Sequence, residues 1–208
     1  MQLPDHIALR RLTYDAAQRE AWLQLLSEDE RSRYDAFPVE KRKREFLLGR
    51  AALRTLLAER LDEEPVALHL HVTDEGAVEL PNVPYFVSIA HSGDQAVATV
   101  SPDRVGVDLE HIRSVEDGVV DFVLTPDEQE LLDTLPMNRD RAFILCWTLK
   151  EATLKALHTG FLRSPKTVHL AIDSANQQAT ATAGDDSAWT VRYEPASDHF
   201  LSVAYPAS

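Results

Sequence analysis

Cysteine is nearly absent: Cys146 is the one such residue in 208, which excludes internal disulfides, cysteine-rich zinc sites and CxxC redox chemistry together. Glycine numbers only 7 and proline 11, too few for collagen-like or low-complexity sequence. No apolar run approaches the roughly 18 residues that a membrane-spanning helix needs, and the longest covers about residues 142–149. Positive charge is scarce as well. With 21 Lys+Arg against 34 Asp+Glu the formal net charge is −13, which disfavours wholesale binding to nucleic acid or an anionic membrane. Pro4 and Asp5 interrupt the N-terminus before any apolar stretch forms, so no secretory signal is read there and the cytoplasm is the expected compartment. GxSxG, P-loop and GxGxxG patterns are missing too.

What is present reads as helices followed by strands, twice. A strand is predicted over 6–12, a helix from Asp15 through Trp22 and Leu26, and a long helix reaching about Leu61, striped by Phe46, Leu47, Leu53, Leu56 and Leu57, with a heavily basic opposite side. From Val66 to Val72 the period becomes two, which predicts a strand, with a turn at Glu75-Gly76. Short β-rich segments at 85–91, 95–100 and 104–110 are separated by turn residues and should form an antiparallel meander. Thr125-Pro126-Asp127-Glu128 is an N-cap signature, Asn138 or Asp140 opens a helix through Trp147 to a stop at Gly160, and strands follow at 168–172, 179–182, 189–193 and 200–205. The expected fold is α+β, one unit over 1–208 built of two similar, pseudo-duplicated lobes near 1–105 and 106–208, each with helices and a small antiparallel sheet. Residues 86–91 echo 200–205 weakly.

Three carboxylates and a lysine carry the chemistry. Asp108 and Glu110 are two apart on one strand, hence on one face, while Glu151 and Lys155 are four apart on one helix with Trp147 a turn earlier. Hard oxygen ligands suit magnesium, and an ammonium offsets charge on a pyrophosphate. A solvated strand end and a surface ion pair would give the same spacing. His91 stands at the junction of a strand and a tight turn, where a ring nitrogen could meet an anion or simply close the turn. His69 and His71 share a strand face but are too few to ligate a metal, and Cys146 reads as a small core residue. Lys41-Arg-Lys-Arg44, with Arg31, Arg33, Arg50 and Arg54, is the one strongly positive stretch, open to being either an anion site or a solvated face.

Gly106-Val-Asp-Leu-Glu110 followed by Trp147-Thr-Leu-Lys-Glu-Ala-Thr-Leu-Lys-Ala156, with Phe143 ahead and Gly160-Phe161 behind, resembles the paired signature of the 4'-phosphopantetheinyl transferases. Val87-Ser-Ile-Ala-His-Ser92 and Phe46-Leu-Leu-Gly-Arg-Ala-Ala-Leu-Arg54 resemble two further family motifs, so the likeness runs from about Arg31 to Phe161. The length resembles the monomeric, two-lobed surfactin type. The resemblance implies transfer of the phosphopantetheine arm of coenzyme A to a serine of an apo acyl or peptidyl carrier protein, releasing adenosine 3',5'-bisphosphate. It implies magnesium at Asp108, Glu110 and Glu151, with Glu151 activating the serine hydroxyl either directly or through a metal-bound water. It places Lys155 at the pyrophosphate with Lys150 nearby, His91 and Arg33 at the 3'-phosphate, and Arg50 at the Gly-Arg of the early helix. Two positions depart from the family pattern: Ala90 stands where relatives commonly carry Ser, and Glu75-Gly-Ala-Val78 where many have Gly-Lys-Pro. Both remove phosphate contacts. A family-shaped protein that binds coenzyme A or a carrier without catalysis, and a magnesium-dependent phosphohydrolase, are the competing classes; the intact acid–lysine set argues against the first, and the lack of a water-positioning site against the second.

Overall fold

The helical and strand periods resolve, in a computed structural model, into two compact units, one of residues 5–102 and the other of 103–208 together with 1–4. The structure describes residues 1–73, 76–157 and 163–207; the expected helix stop at Gly160, the Gly160-Phe161 pair and Glu75 lie outside them.

In the 5–102 unit, β1 (Ala8–Thr13) is followed by α1 (Arg19–Leu23), α2 (Glu28–Ala36) and α3 (Glu40–Leu61), then by β2 (His71–Val72), β3 (Val78–Glu79), β4 (Phe86–Ser92) and β5 (Gln95–Ser101). Ser27 caps α2 with its hydroxyl on Glu30 N while the Glu30 carboxylate returns to Ser27 N, so two donors at the helix start are satisfied reciprocally. Leu53 and Leu57 of α3 pack with Val87, Ala98 and Val100 of the sheet, and Asp62 ends the helix in the left-handed region at φ 54°. β5 lies between β1 and β4, antiparallel to both. The strand expected over 66–72 survives only as β2. Pro65 instead opens a short 3-10 turn over Pro65–Ala67, and the left-handed Gly76 (φ 87°) donates to Thr73 O to reverse the chain before β3. The basic side expected of α3 is also partly internal, since Arg50 and Arg54 both reach Glu30, at 3.0 and 2.6 Å.

In the other unit, β6 (Gly106–His111), α4 (Asp117–Val123), α5 (Pro126–Thr134) and α6 (Arg139–Ala156) precede β7 (His169–Asp173), β8 (Gln178–Thr182), β9 (Ala188–Pro195) and β10 (His199–Pro206). The sheet order is β6-β10-β9-β8-β7, antiparallel throughout. Both caps read from sequence are made: Asn138 accepts from Arg141 N, and Thr125 forms a capping box with Glu128. α6 buries Phe143, Ile144, Leu145 and Leu149 against Val191, Phe200 and Ala204 of the sheet. β6 does not continue a meander with β4 and β5, as the spacing suggests. It pairs with β10, nearly a hundred residues further on, with Asp108 opposite Ser202.

One plan recurs in the two units, giving the pseudo-duplicated α+β fold. A first strand leads to a long helix, and a hairpin, β4–β5 or β9–β10, then returns its second strand to pair with that first strand. The counterpart of β10 is therefore β5 rather than β4, so the echo between 86–91 and 200–205 does not join equivalent strands.

Candidate active site

The acid–lysine set is assembled by the approach of α6 to β6. Side chains alternate along a strand, so Gly106, Asp108 and Glu110 share one face. Gly106 is where the two elements come closest: a Cβ built there would fall deep inside van der Waals contact of Ala152 O and Ala156 N and 3.0 Å from Ala156 Cα. Only a residue without a side chain permits that approach. Further along β6, Lys155 Nζ donates to Asp108 Oδ1 at 2.7 Å, and the Trp147 indole N–H donates to Glu110 Oε1 at 3.1 Å. The contacts run in reverse order, so α6 lies antiparallel to β6 and presents Lys155, Glu151 and Trp147 to it in succession.

This site carries more acid than base. Asp108 is buried, and its Oδ2 has no hydrogen-bond partner. Burial pushes its carboxyl above the usual range despite the Lys155 ammonium, and Glu110 adds to the effect. Glu151 is pushed up to about 7, first by burial, then by the charges of Asp108 and Glu110, against the opposing pull of Lys155. Glu110 Oε2 accepts from Arg113 at 2.9 Å. Two of the three carboxylates are thus engaged by side chains in this arrangement, and among the described residues no group of three acids, histidines or cysteines is arranged to hold a metal ion. The donors nonetheless suit a hard divalent cation: carboxylate oxygens, one of them buried without a partner, and a Glu151 whose carboxyl is raised first by burial and then by the charge of Asp108. A magnesium ion that keeps most of its waters needs only a few such ligands.

Lys150 departs from expectation. It is fully buried, on a different side of α6, and its ammonium donates to Glu128 Oε2 at 2.6 Å and Pro165 O at 3.1 Å. A lysine so enclosed does not reach a pyrophosphate in this structure, because the adjacent position in sequence lies about 100° round the helix. Burial draws its pKa down.

The basic residues cluster separately, in the 5–102 unit. His91, at the end of β4, has Nδ1 3.9 Å from Glu45 Oε1. Arg33 and Arg50 approach the Phe46 ring, their guanidinium carbons 5.7 and 5.1 Å from its centroid. Arg33, Arg50 and Phe46 border a cavity of about 230 Å³ together with Glu30, His69 and Val72. Arg50 faces it with its charge already matched by Glu30, whereas Arg33 is exposed. Ala90 is buried and offers no hydroxyl. Sequence reading missed Trp147 and Arg113 as the holders of Glu110, Glu45 beside His91, and Glu30 beneath the arginines. The capping pattern Ser27-x-x-Glu30 was the one visible signal for the last.

Comparison with known proteins agrees with these motifs. Residues 104–205 match the model of the 4'-phosphopantetheinyl transferase superfamily, and 32–101 match the 4'-phosphopantetheinyl transferase N-terminal domain. The chain is 32% identical over 173 residues to the 4'-phosphopantetheinyl transferase HetI of Nostoc sp., covering 77% of this chain and 72% of that one. It is 30% identical over 200 residues to a phosphopantetheinyl transferase of Thraustochytrium sp., covering 86% and 69%. Enterobactin synthase component D of Escherichia coli is 34% identical over 120 residues, covering 56% and 55%. The chain belongs to the 4'-phosphopantetheinyl transferase superfamily. It is a transferase that moves the 4'-phosphopantetheine arm of coenzyme A onto a carrier protein. No described helix is long and apolar enough to cross a membrane.

Proposed function

We propose that Asp108, Glu110 and Glu151 hold a magnesium ion and that Glu151 and Lys155 perform the transfer. The observation that carries this reading is the excess of acid on the β6–α6 face: a buried Asp108 with an unpartnered oxygen beside a Glu151 pushed up to about 7. Bound there, magnesium would neutralise phosphate charge and relieve the repulsion among the carboxylates. Phosphoryl transfer needs mainly alignment and charge neutralisation. The carrier serine Oγ forms a bond to the β-phosphorus of coenzyme A, the bond from that phosphorus to the bridging oxygen breaks, and adenosine 3',5'-bisphosphate departs with the electron pair. The Lys155 ammonium offsets the charge on the departing phosphate. The serine proton passes to the Glu151 carboxylate, directly or through a water.

In the 5–102 unit, His91 and Arg33 take the 3'-phosphate, and Arg50 supports the Phe46 ring beside them. Supporting this are the places of Arg33, Arg50 and Phe46 around one cavity, the exposure of Arg33 and the position of His91 at the end of β4. The acceptor is an apo acyl or peptidyl carrier. The protein works as a monomer, since its pseudo-duplicated fold repeats one plan within a single chain, and its compartment is the cytoplasm. Incubation with coenzyme A, magnesium and a panel of apo carriers tests the reading by the mass gain of the arm on each. Transfer that needs magnesium is expected, with a scattering mass of one chain and recovery in the cytosolic fraction. Coenzyme A binding without mass gain on any carrier would turn the reading toward a binding protein.

A further inference from the structure

We propose that Lys150 is a positioning residue for the transfer and not a ligand for coenzyme A. Its Nζ has three N–H donors, and three acceptors surround it: Glu128 Oε2 at 2.6 Å, Pro165 O at 3.1 Å and Val123 O at 3.4 Å. Lys150 is 0% exposed, and the Glu128 side chain 8%. The acceptors come from three separate places: the C-terminal end of α4, the first turn of α5, and the segment after α6. Glu128 Oε2 also accepts from the backbone N–H and the hydroxyl of Thr125, closing the cap of α5. One ammonium therefore ties α4, α5 and residue 165 to a single point on α6.

That point governs the rotation of the helix. Residues 151 and 155 stack one turn apart, and residue 150 lies about 100–140° round the axis from them. On one side Gly106 lets β6 press directly on the backbone at Ala152 and Ala156. On another, the Lys150 clamp resists rolling, because turning α6 would pull a buried charge off its carboxylate partner and leave that carboxylate without its counter-charge. Held from two directions, α6 keeps Lys155 Nζ 2.7 Å from Asp108 and Glu151 beside both. Reactive groups need this kind of support from residues that never touch the substrate.

This inference rests on the reading of Glu151 and Lys155 as the groups that perform the transfer, and the experiment separates the two. Lys150→Met keeps the length of the side chain and removes the ammonium. Calorimetric titration with coenzyme A, without carrier, gives Kd; steady-state transfer to an apo carrier, run well below the melting temperature of each variant, gives kcat. Expected for Lys150→Met is a kcat lowered tenfold or more with a Kd for coenzyme A within twofold of wild type. Glu128→Gln retains the cap and a weaker acceptor, so a kcat loss of about threefold is expected with the same unchanged Kd, and it carries the test alone should Lys150→Met fail to fold. The double variant should be no slower than Lys150→Met, because both changes break one clamp. A Kd that rises as far as kcat/KM falls would make Lys150 a ligand contact and overturn the proposal. So would an unchanged kcat in the folded variants, which would leave the pair a role in stability alone. Wild-type protein that transfers no arm would instead overturn the reading of the site itself.

Discussion

The closest prediction to the geometry concerns Gly106→Ala. The added methyl would meet the carbonyl of Ala152 and the N–H of Ala156, backbone atoms that cannot swing aside as a side chain would. Restoring ordinary contact requires β6 and α6 to separate by on the order of 1 Å. Overpacking of this kind costs about 2–3 kcal/mol, which in a protein of this size lowers Tm by roughly 4–12 °C. The separation also falls on the Lys155–Asp108 contact, now 2.7 Å long, and a misplacement near 1 Å lowers a transfer rate by on the order of 100-fold. Thermal melts followed by circular dichroism and carrier transfer at saturating coenzyme A measure both effects. Gly118→Ala is the control: a Cβ at that position in α4 meets nothing within 4 Å, so a gain of about 0.5–1 kcal/mol from helix propensity is expected there, with transfer unchanged. A Gly106→Ala protein with wild-type Tm and near-normal rate would refute the argument that this glycine sets the spacing of the site.

Glu151→Gln should abolish transfer and, without divalent cation, change how stability depends on pH. The folded carboxyl, raised to about 7 from an ordinary 4.5, binds a proton between those values that the unfolded chain does not, so wild-type stability falls as pH rises through this window, by on the order of 2 kcal/mol, and the loss is complete above it. Urea unfolding at a series of pH values should show the glutamine variant relatively more stable above pH 7, and an equal pH slope in the two proteins would count against the assignment. His91→Ala should raise the KM for coenzyme A several-fold while leaving kcat and the KM for 3'-dephospho-coenzyme A nearly unaltered. Equal effects on the two substrates would remove His91 from the 3'-phosphate. In wild type, magnesium should raise Tm by mass action, and Asp108→Asn should lose most of that gain; a full magnesium response in the variant would exclude Asp108 as a ligand.

Much of this was written in local sequence. The capping residues Ser27, Thr125 and Asn138, the apolar stripes of α3 and α6, and the strands of the last third all obey short-range rules, because a cap or a period needs only neighbours along the chain. The i,i+2 spacing of Asp108 and Glu110 and the i,i+4 spacing of Glu151 and Lys155 put each pair on one face for the same reason. Their meeting was another matter. Asp108 reaches Lys155 only because β6 pairs with β10 and because Gly106 admits the α6 backbone, both relations between residues far apart in sequence. Arg50, Arg54 and Lys150 show the limit most plainly. Charged residues on a helix read as a solvated or ligand-facing side, yet Glu30 and Glu128, each belonging to a capping box on a different helix, draw them inward. The direction of a long charged side chain is decided by whichever buried carboxylate can satisfy it, and only the tertiary structure brings that partner within reach.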